Sequence, residues 1–435
     1  MKPEDVYEKA ERAKLVQEAL ASLTESQRDA IILHYYMGKA YHEIAAFLNV
    51  SESTISNRIY AGKKKLKKIM LISMSEYLGG FDMNQEAFVR QILAQVSGIT
   101  TQDPRIQENF QFCGCMRAIM QYLGKDPMLN FVYFAGVSGA LFSNVWRHNK
   151  KWMYSESTVA FLPYEGRDEI IKSTIRTAGY DSEVVSEKEI KADKKKYKKK
   201  IMESLNKGMP VMTYGIVGPP TCSLITGYDE NGEILIGWAA FQDGEHGMPD
   251  GYEDCGYFRQ RNGLDESNEL IFIGDMTDAM RSKDIVKTAM KNIRHTMTIP
   301  KTDENVFGVE AFEHWAEAFA DDDEFKDDRE LLDNYTDVHC GQKTIVMTGS
   351  TYAEQFLQIL KSMDSTYDEC IDKMIPIVRK EKDALDRFWQ LEPEFWYDSK
   401  KLLDKGYRDK VMGIINEAKE YYSELVNVVC SYVHQ

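Results

Sequence analysis

Between Thr24 and Met70 the apolar residues recur at helical spacing, but the run is broken at Gly38 and again at Asn49-Val50. The segment must therefore fold as short helices joined by tight turns. A helix is expected from Thr24 or Glu25 through ESQRDAIILHYYM, ending at Gly38. Ala40 to Leu48 forms a second, with Ile44, Ala45 and Leu48 on one face. Asn49-Val50 turns the chain, and Ser51 caps a third helix, its hydroxyl accepting from a free N–H of the first turn. Ile55, Ile59 and Leu66 face inward from that helix, and Pro3 to Leu20 has helical spacing ahead of all three.

A supporting helix, a short turn and a second helix entering by its N-terminal end is the helix-turn-helix arrangement that reads a DNA major groove. The polar residues presented there are Ser53, Thr54, Ser56, Asn57 and Arg58. Arginine bonds a guanine edge in bidentate fashion and asparagine an adenine edge. Lys63, Lys64 and Lys65, with Lys67 and Lys68, suit phosphate contacts, which set affinity but carry no sequence information. Charge distribution agrees. The whole chain has net charge −15, yet residues 1–70 carry 12 Lys+Arg against 9 Asp+Glu. The remaining 42 against 60 make an acidic body that DNA would repel, so contact with double-stranded DNA falls to the basic head.

This stretch resembles region 4 of bacterial sigma factors, especially the extracytoplasmic-function type. The shared frame is Leu23-x-x-x-Gln27-Arg28, Tyr41-x-Glu43-Ile44-Ala45 and Thr54-Ile55-x-x-Arg58-Ile59. Ala61 and Gly62 depart from it, and glycine within a helix weakens it. The resemblance implies promoter DNA and RNA polymerase as partners. A working sigma factor also needs a domain that melts the −10 element, and no such segment stands before residue 1. The expectation is a regulator that reads DNA without initiating transcription, as a homodimer or beside the polymerase.

With 435 residues the chain is long for one core, and two or three domains are expected. Apolar stretches such as Met128 to Phe142 are short and interrupted, so no membrane span is expected. The N-terminus has no apolar signal-peptide core, which points to the cytoplasm. Seven scattered cysteines do not make a disulfide framework, and Cys113-x-Cys115 lacks a second pair for a metal site. Neither metal nor cofactor is expected.

Beyond a linker at residues 76–85, around Leu78 to Asp82, the expected organisation is multidomain α+β. The helix-turn-helix domain (1–75) precedes an α+β domain of helices and antiparallel sheet (86–276) and a helical subdomain packed on it (277–435). Cys113 and Cys115 open a helix in FQFCGCMRAIMQYLG, where backbone dipoles favour thiolate. Pro210 to Ile216, Ser223 to Tyr228 and Glu233 to Trp238 read as strands, the last two joined by the hairpin turn Asp229-Glu-Asn-Gly232. A cysteine-bearing helix followed by an antiparallel sheet is the papain-like order. GYDENGEILIG resembles the bacteriocin-leader-peptidase-like branch and the butirosin-biosynthesis protein H family, whose cysteine transfers acyl groups. Gly136 to Trp146 resembles that family's opening and Gly308 to Phe319 a later helix.

The resemblance implies a catalytic histidine at the head of the strand before Gly-Tyr-Asp. Here that stretch reads Gly218-Pro-Pro-Thr-Cys222-Ser223. His339, beside Cys340, is the remaining histidine to consider. Two readings stay open. In one, the domain has lost catalysis and binds a small molecule or peptide at Cys113, Cys115, Ser138, Trp146, Tyr214, Trp238 and Phe241. In the other, Cys113 or Cys115 is the nucleophile of an acyltransferase or amidase. Lys194 to Lys200 reads as the solvated face of a helix reaching Leu205, and the chain from Tyr352 onward reads as helical.

Overall fold

The structure is a computed structural model that describes residues 23–36, 39, 41–48, 50, 54, 55, 58, 109–149, 152–153, 164–242, 248–253, 256–392 and 397–434. Residues 1–94 and 95–435 form two compact units.

In the first unit, α1 (Glu25–Ile31) opens with a reciprocal cap. The Thr24 hydroxyl accepts from the Gln27 N–H at 3.4 Å, and Gln27 Oε1 accepts from the Thr24 N–H at 3.3 Å. Two free donors of the first turn are thereby satisfied. The expected single helix instead widens into a π-helical turn at Ile32–Tyr36. Beyond it the Lys39 N–H donates to the Leu33 carbonyl at 3.0 Å. α2 (Tyr41–Leu48) follows. Ala30, Ile44, Ala45 and Ile55 form a small core, with Leu33, Leu48 and Val50 packed against it. Thr54, Ile55 and Arg58 are helical. Ser51, Ser53, Ser56, Asn57, Lys63, Lys64 and Lys65, and the linker at 76–85, lie outside the described residues.

The second unit mixes helices with an antiparallel sheet. Its helices begin with α3 (Gln111–Tyr122) and α4 (Phe131–Val137), and a short strand β1 (Val145–Arg147) follows. α5 (Arg167–Thr177) leads to β2 (Tyr180–Ser186), α6 (Glu187–Ala192) and α7 (Lys194–Asn206). Next come β3 (Val211–Tyr214), β4 (Cys222–Asp229), β5 (Ile234–Trp238), β6 (Gly251–Tyr252) and β7 (Phe258–Arg261). The short α8 (Gly263–Glu266) precedes β8 (Glu269–Met276). The sheet order is β2-β8-β3-β4-β5-β7-β6. Each neighbouring pair is antiparallel. All four residues of β3 are buried, as are Cys222 to Gly227 of β4, because helices cover the centre of this sheet. The turn between β4 and β5 places Asn231 and Gly232 at positive φ, the conformation their sequence favours.

α7 buries Tyr197, Ile201 and Leu205 and turns its lysines outward. Lys194, Lys198 and Lys200 pair with Asp265, Glu233 and Glu183. The basic run is thus the solvated face of an amphipathic helix.

α9 (Ser282–Met297) and β9 (Asn305–Phe307) return the chain to β1, with Val145 opposite Phe307. α10 (Gly308–Ala318), α11 (Arg329–Met363), α12 (Asp368–Leu385), α13 (Phe388–Leu391) and α14 (Lys405–Tyr432) complete the unit. Phe356, Leu357 and Leu360 are buried on α11, and Val411, Ile414 and Ile415 on α14. No helix of the described residues is long and apolar enough to cross a membrane.

Candidate functional site

Strand register builds one row of side chains across the sheet. Tyr214, the last residue of β3, stands opposite Cys222 at the head of β4 on one side and Glu269 at the start of β8 on the other. Directly opposed residues share a face of the sheet. α3 packs against β4, and the Cys115 thiol donates to the Cys222 carbonyl at 3.7 Å. Arg167, in the first turn of α5, closes the far end with two parallel bonds to Glu269, at 2.6 and 2.7 Å.

The row is sealed. Cys115, Cys222 and Tyr214 are at most 1% exposed. Burial, followed by the neighbouring Cys115 thiol, pushes the Cys222 thiol well above the ordinary cysteine range. Burial, then Cys222, does the same to the Tyr214 phenol. Burial alone would lower Arg167, but the bidentate Glu269 outweighs it and keeps the guanidinium charged. A buried thiol that resists ionisation is a poor nucleophile.

Cys113 stands two residues before Cys115 on α3. Its sulfur is 3.7 Å from the Ser138 hydroxyl, which in turn donates to the Ala135 carbonyl. The other expected ligand residues are dispersed. Trp146 stacks on Trp315 at 6.5 Å and meets Trp152 edge-on at 6.1 Å, in an aromatic core against α10. Trp238 ends β5 opposite Leu224, and Phe241 is half-buried in the turn beyond it. Two clusters therefore emerge from the seven residues: Cys115 with Tyr214, and Cys113 with Ser138.

The strand head that the peptidase resemblance equips with histidine carries Cys222. Four histidines of this unit have partners elsewhere. His148 Nε2 contacts the Thr302 carbonyl at 3.1 Å and His295 Nε2 the Glu165 carbonyl at 2.9 Å. His314 faces Glu317 at 3.7 Å. His339 is bound between Trp315 and Glu392. Burial raises the neighbouring Cys340 thiol to about 12, so these two residues do not form a nucleophile and base. Arg167 and Glu269 were not legible as a pair, being 102 residues apart with no shared motif. Cys222 left one trace, as the residue in place of a histidine.

In the first unit, the core of Ala30, Ile44, Ala45 and Ile55 holds α2 against the helical turn that carries Thr54 and Arg58. Arg58 is half-buried three residues beyond the fully buried Ile55. A family model described as sigma-70, region 4, matches residues 13–66. No curated protein matches the chain. The match supports a DNA-binding, sigma-factor-like role in transcription for this segment.

Proposed function

We propose that the chain is a transcription regulator in which residues 1–75 read promoter DNA and dock on RNA polymerase, while the rest senses a small molecule or peptide. The match to sigma-70 region 4 over residues 13–66 carries the first half. Its capped α1, its small core and the helical placement of Arg58 suit a recognition helix fixed by a supporting one.

For residues 86–276 the reading is a papain-like core without catalysis, with residues 277–435 as its helical subdomain. Support comes from a cysteine-bearing helix laid on an antiparallel sheet, with Cys115 facing the strand head. Cys222 at that head supplies no imidazole base, and the burial of both thiols opposes nucleophilic attack. The same arrangement of α3 and β4 is what favours the second reading, a cysteine acyltransferase or amidase.

The test is binding of the whole protein to a randomised duplex library, followed by footprinting of the enriched sequence. Enrichment of a discrete site, and copurification with RNA polymerase, are expected. Absence of any enriched sequence would overturn the DNA-reading proposal.

A further inference from the structure

Two thiols of the row meet. Cys115 on α3 and Cys222 at the head of β4 are 107 residues apart in the chain, yet their side chains are within hydrogen-bond reach of each other. The Tyr214 hydroxyl reaches the Cys222 sulfur from the neighbouring strand. Neither cysteine is in a disulfide, and all three side chains are at most 1% exposed. The acyl-transfer reading uses Cys115 as a lone sulfur; its contact with Cys222 makes it half of a dithiol. Cys113 has its own contact, with Ser138.

Ligand number narrows what a dithiol can hold. Among the described residues no third histidine, cysteine, aspartate or glutamate joins the pair as a metal ligand. Zinc and iron–sulfur centres complete four ligands, whereas paired thiolates without harder donors select soft ions. An ion held in line between two sulfurs, at ~2.3 Å from each, needs them roughly 4.6 Å apart. Small side-chain rotations open hydrogen-bonded sulfurs that far.

We propose that Cys115 and Cys222 form a two-coordinate site for a soft metal ion of the cuprous or mercuric class, with Tyr214 supporting it from behind one sulfur. Binding breaks two S–H bonds and forms two metal–sulfur bonds; both protons leave to solvent and no oxidation state changes. The Tyr214 hydroxyl donates to the Cys222 thiolate and offsets part of the charge that the buried sulfurs acquire. A mercuric ion leaves the dithiolate neutral and a cuprous ion leaves it with one negative charge, so burial favours the mercuric ion. Both sulfurs are closed to solvent, so entry accompanies a local opening. The half-exposed turn Pro219 to Thr221 leads directly into Cys222 and, in this proposal, is the segment that opens.

The proposal rests on neither the DNA-reading unit nor acyl-transfer chemistry, and its test uses metal alone. The full chain carries Cys255→Ser and Cys430→Ser, so that two thiols outside the row do not compete. It is titrated anaerobically with Hg(II), and with Cu(I) against a chromogenic cuprous chelator, while sulfur-to-metal charge-transfer absorption is followed in the ultraviolet. Saturable binding of either ion is expected, with about two protons released, whereas zinc is expected not to bind. Cys115→Ser or Cys222→Ser should abolish the absorption step. Tyr214→Phe should weaken the cuprous ion by roughly tenfold to a hundredfold. X-ray absorption of the loaded chain should show two sulfur neighbours in line, a readout that needs neither serine variant to fold. No saturable binding, an undiminished step in a folded Cys115→Ser or Cys222→Ser chain, equal affinity for zinc, or three or more ligand neighbours would each overturn the proposal.

Discussion

His339 on α11 donates from Nε2 to Oε1 of Glu392 at 3.2 Å, with both side chains fully buried. The Trp315 indole can only donate, so its 3.3 Å bond makes His339 Nδ1 an acceptor and fixes the neutral ring with its proton on Nε2. Burial, the largest influence, lowers the imidazole's pKa below its ordinary value. Glu392 is also bound by the Lys343 ammonium and by the Tyr407 hydroxyl at 2.7 Å. One carboxylate thereby ties α11 to α14 at the centre of the helical half. Glu392→Leu would remove the carboxylate that balances the buried Lys343 ammonium. A loss of roughly 3–5 kcal/mol is expected, read from urea unfolding.

The same carboxylate sets an acid limit. Burial alone would raise Glu392, but His339 and Lys343 outweigh it and hold its pKa at about 2. A depressed acid pKa adds stability above its unfolded value, near 4.5, and that stability fades as pH falls toward 2. About 3 kcal/mol is expected to disappear over that window. Comparing urea midpoints of wild type and Glu392→Gln between pH 6 and pH 3 checks this, since the variant should lack the slope that this group contributes.

Gly237 on β5 packs against β4 so closely that an added Cβ would lie 1.9 Å from the Leu224 carbonyl oxygen. Backbone cannot yield as a flexible side chain does. Gly237→Ala should therefore cost about 3 kcal/mol or more and part the two central strands. Amide exchange along 222–229 should accelerate. Unchanged exchange would refute the β4–β5 register.

Alkylation by iodoacetamide should separate the cysteines by burial. Cys430 is partly exposed, whereas Cys113, Cys115 and Cys222 are buried. Cys430 is expected to react in the native state and the other three only on unfolding. Rapid native-state modification of Cys115, lost in Cys115→Ala, would favour the acyltransferase reading.

Arg58 and Lys64 should fail in different ways. Arg58→Ala is expected to cost about 1–3 kcal/mol at the specific site and relax base preference there. Lys64→Ala should weaken all DNA equally and reduce the salt slope by about 1. Gel-shift titrations at several salt concentrations distinguish the two, and no effect from either would displace the recognition helix.

Local signals were legible without coordinates. Thr24 announces a helix start, Asn231-Gly232 a hairpin, and the run Lys194 to Lys200 the solvated face of a helix reaching Leu205. Each depends on neighbours within a few residues, where backbone sterics and side-chain periodicity act directly. The widening of α1 at Ile32 was not legible, since it depends on how the chain end is received at Lys39. Nor did the seven residues proposed as one ligand site assemble: strand register joined Tyr214 to Cys222, while Trp146 went to an aromatic core with Trp315. Arg167 with Glu269 and His339 with Glu392 are the work of tertiary structure. Their energies come from desolvation and pairing between residues distant in the chain, and only packing decides which buried charge meets a partner.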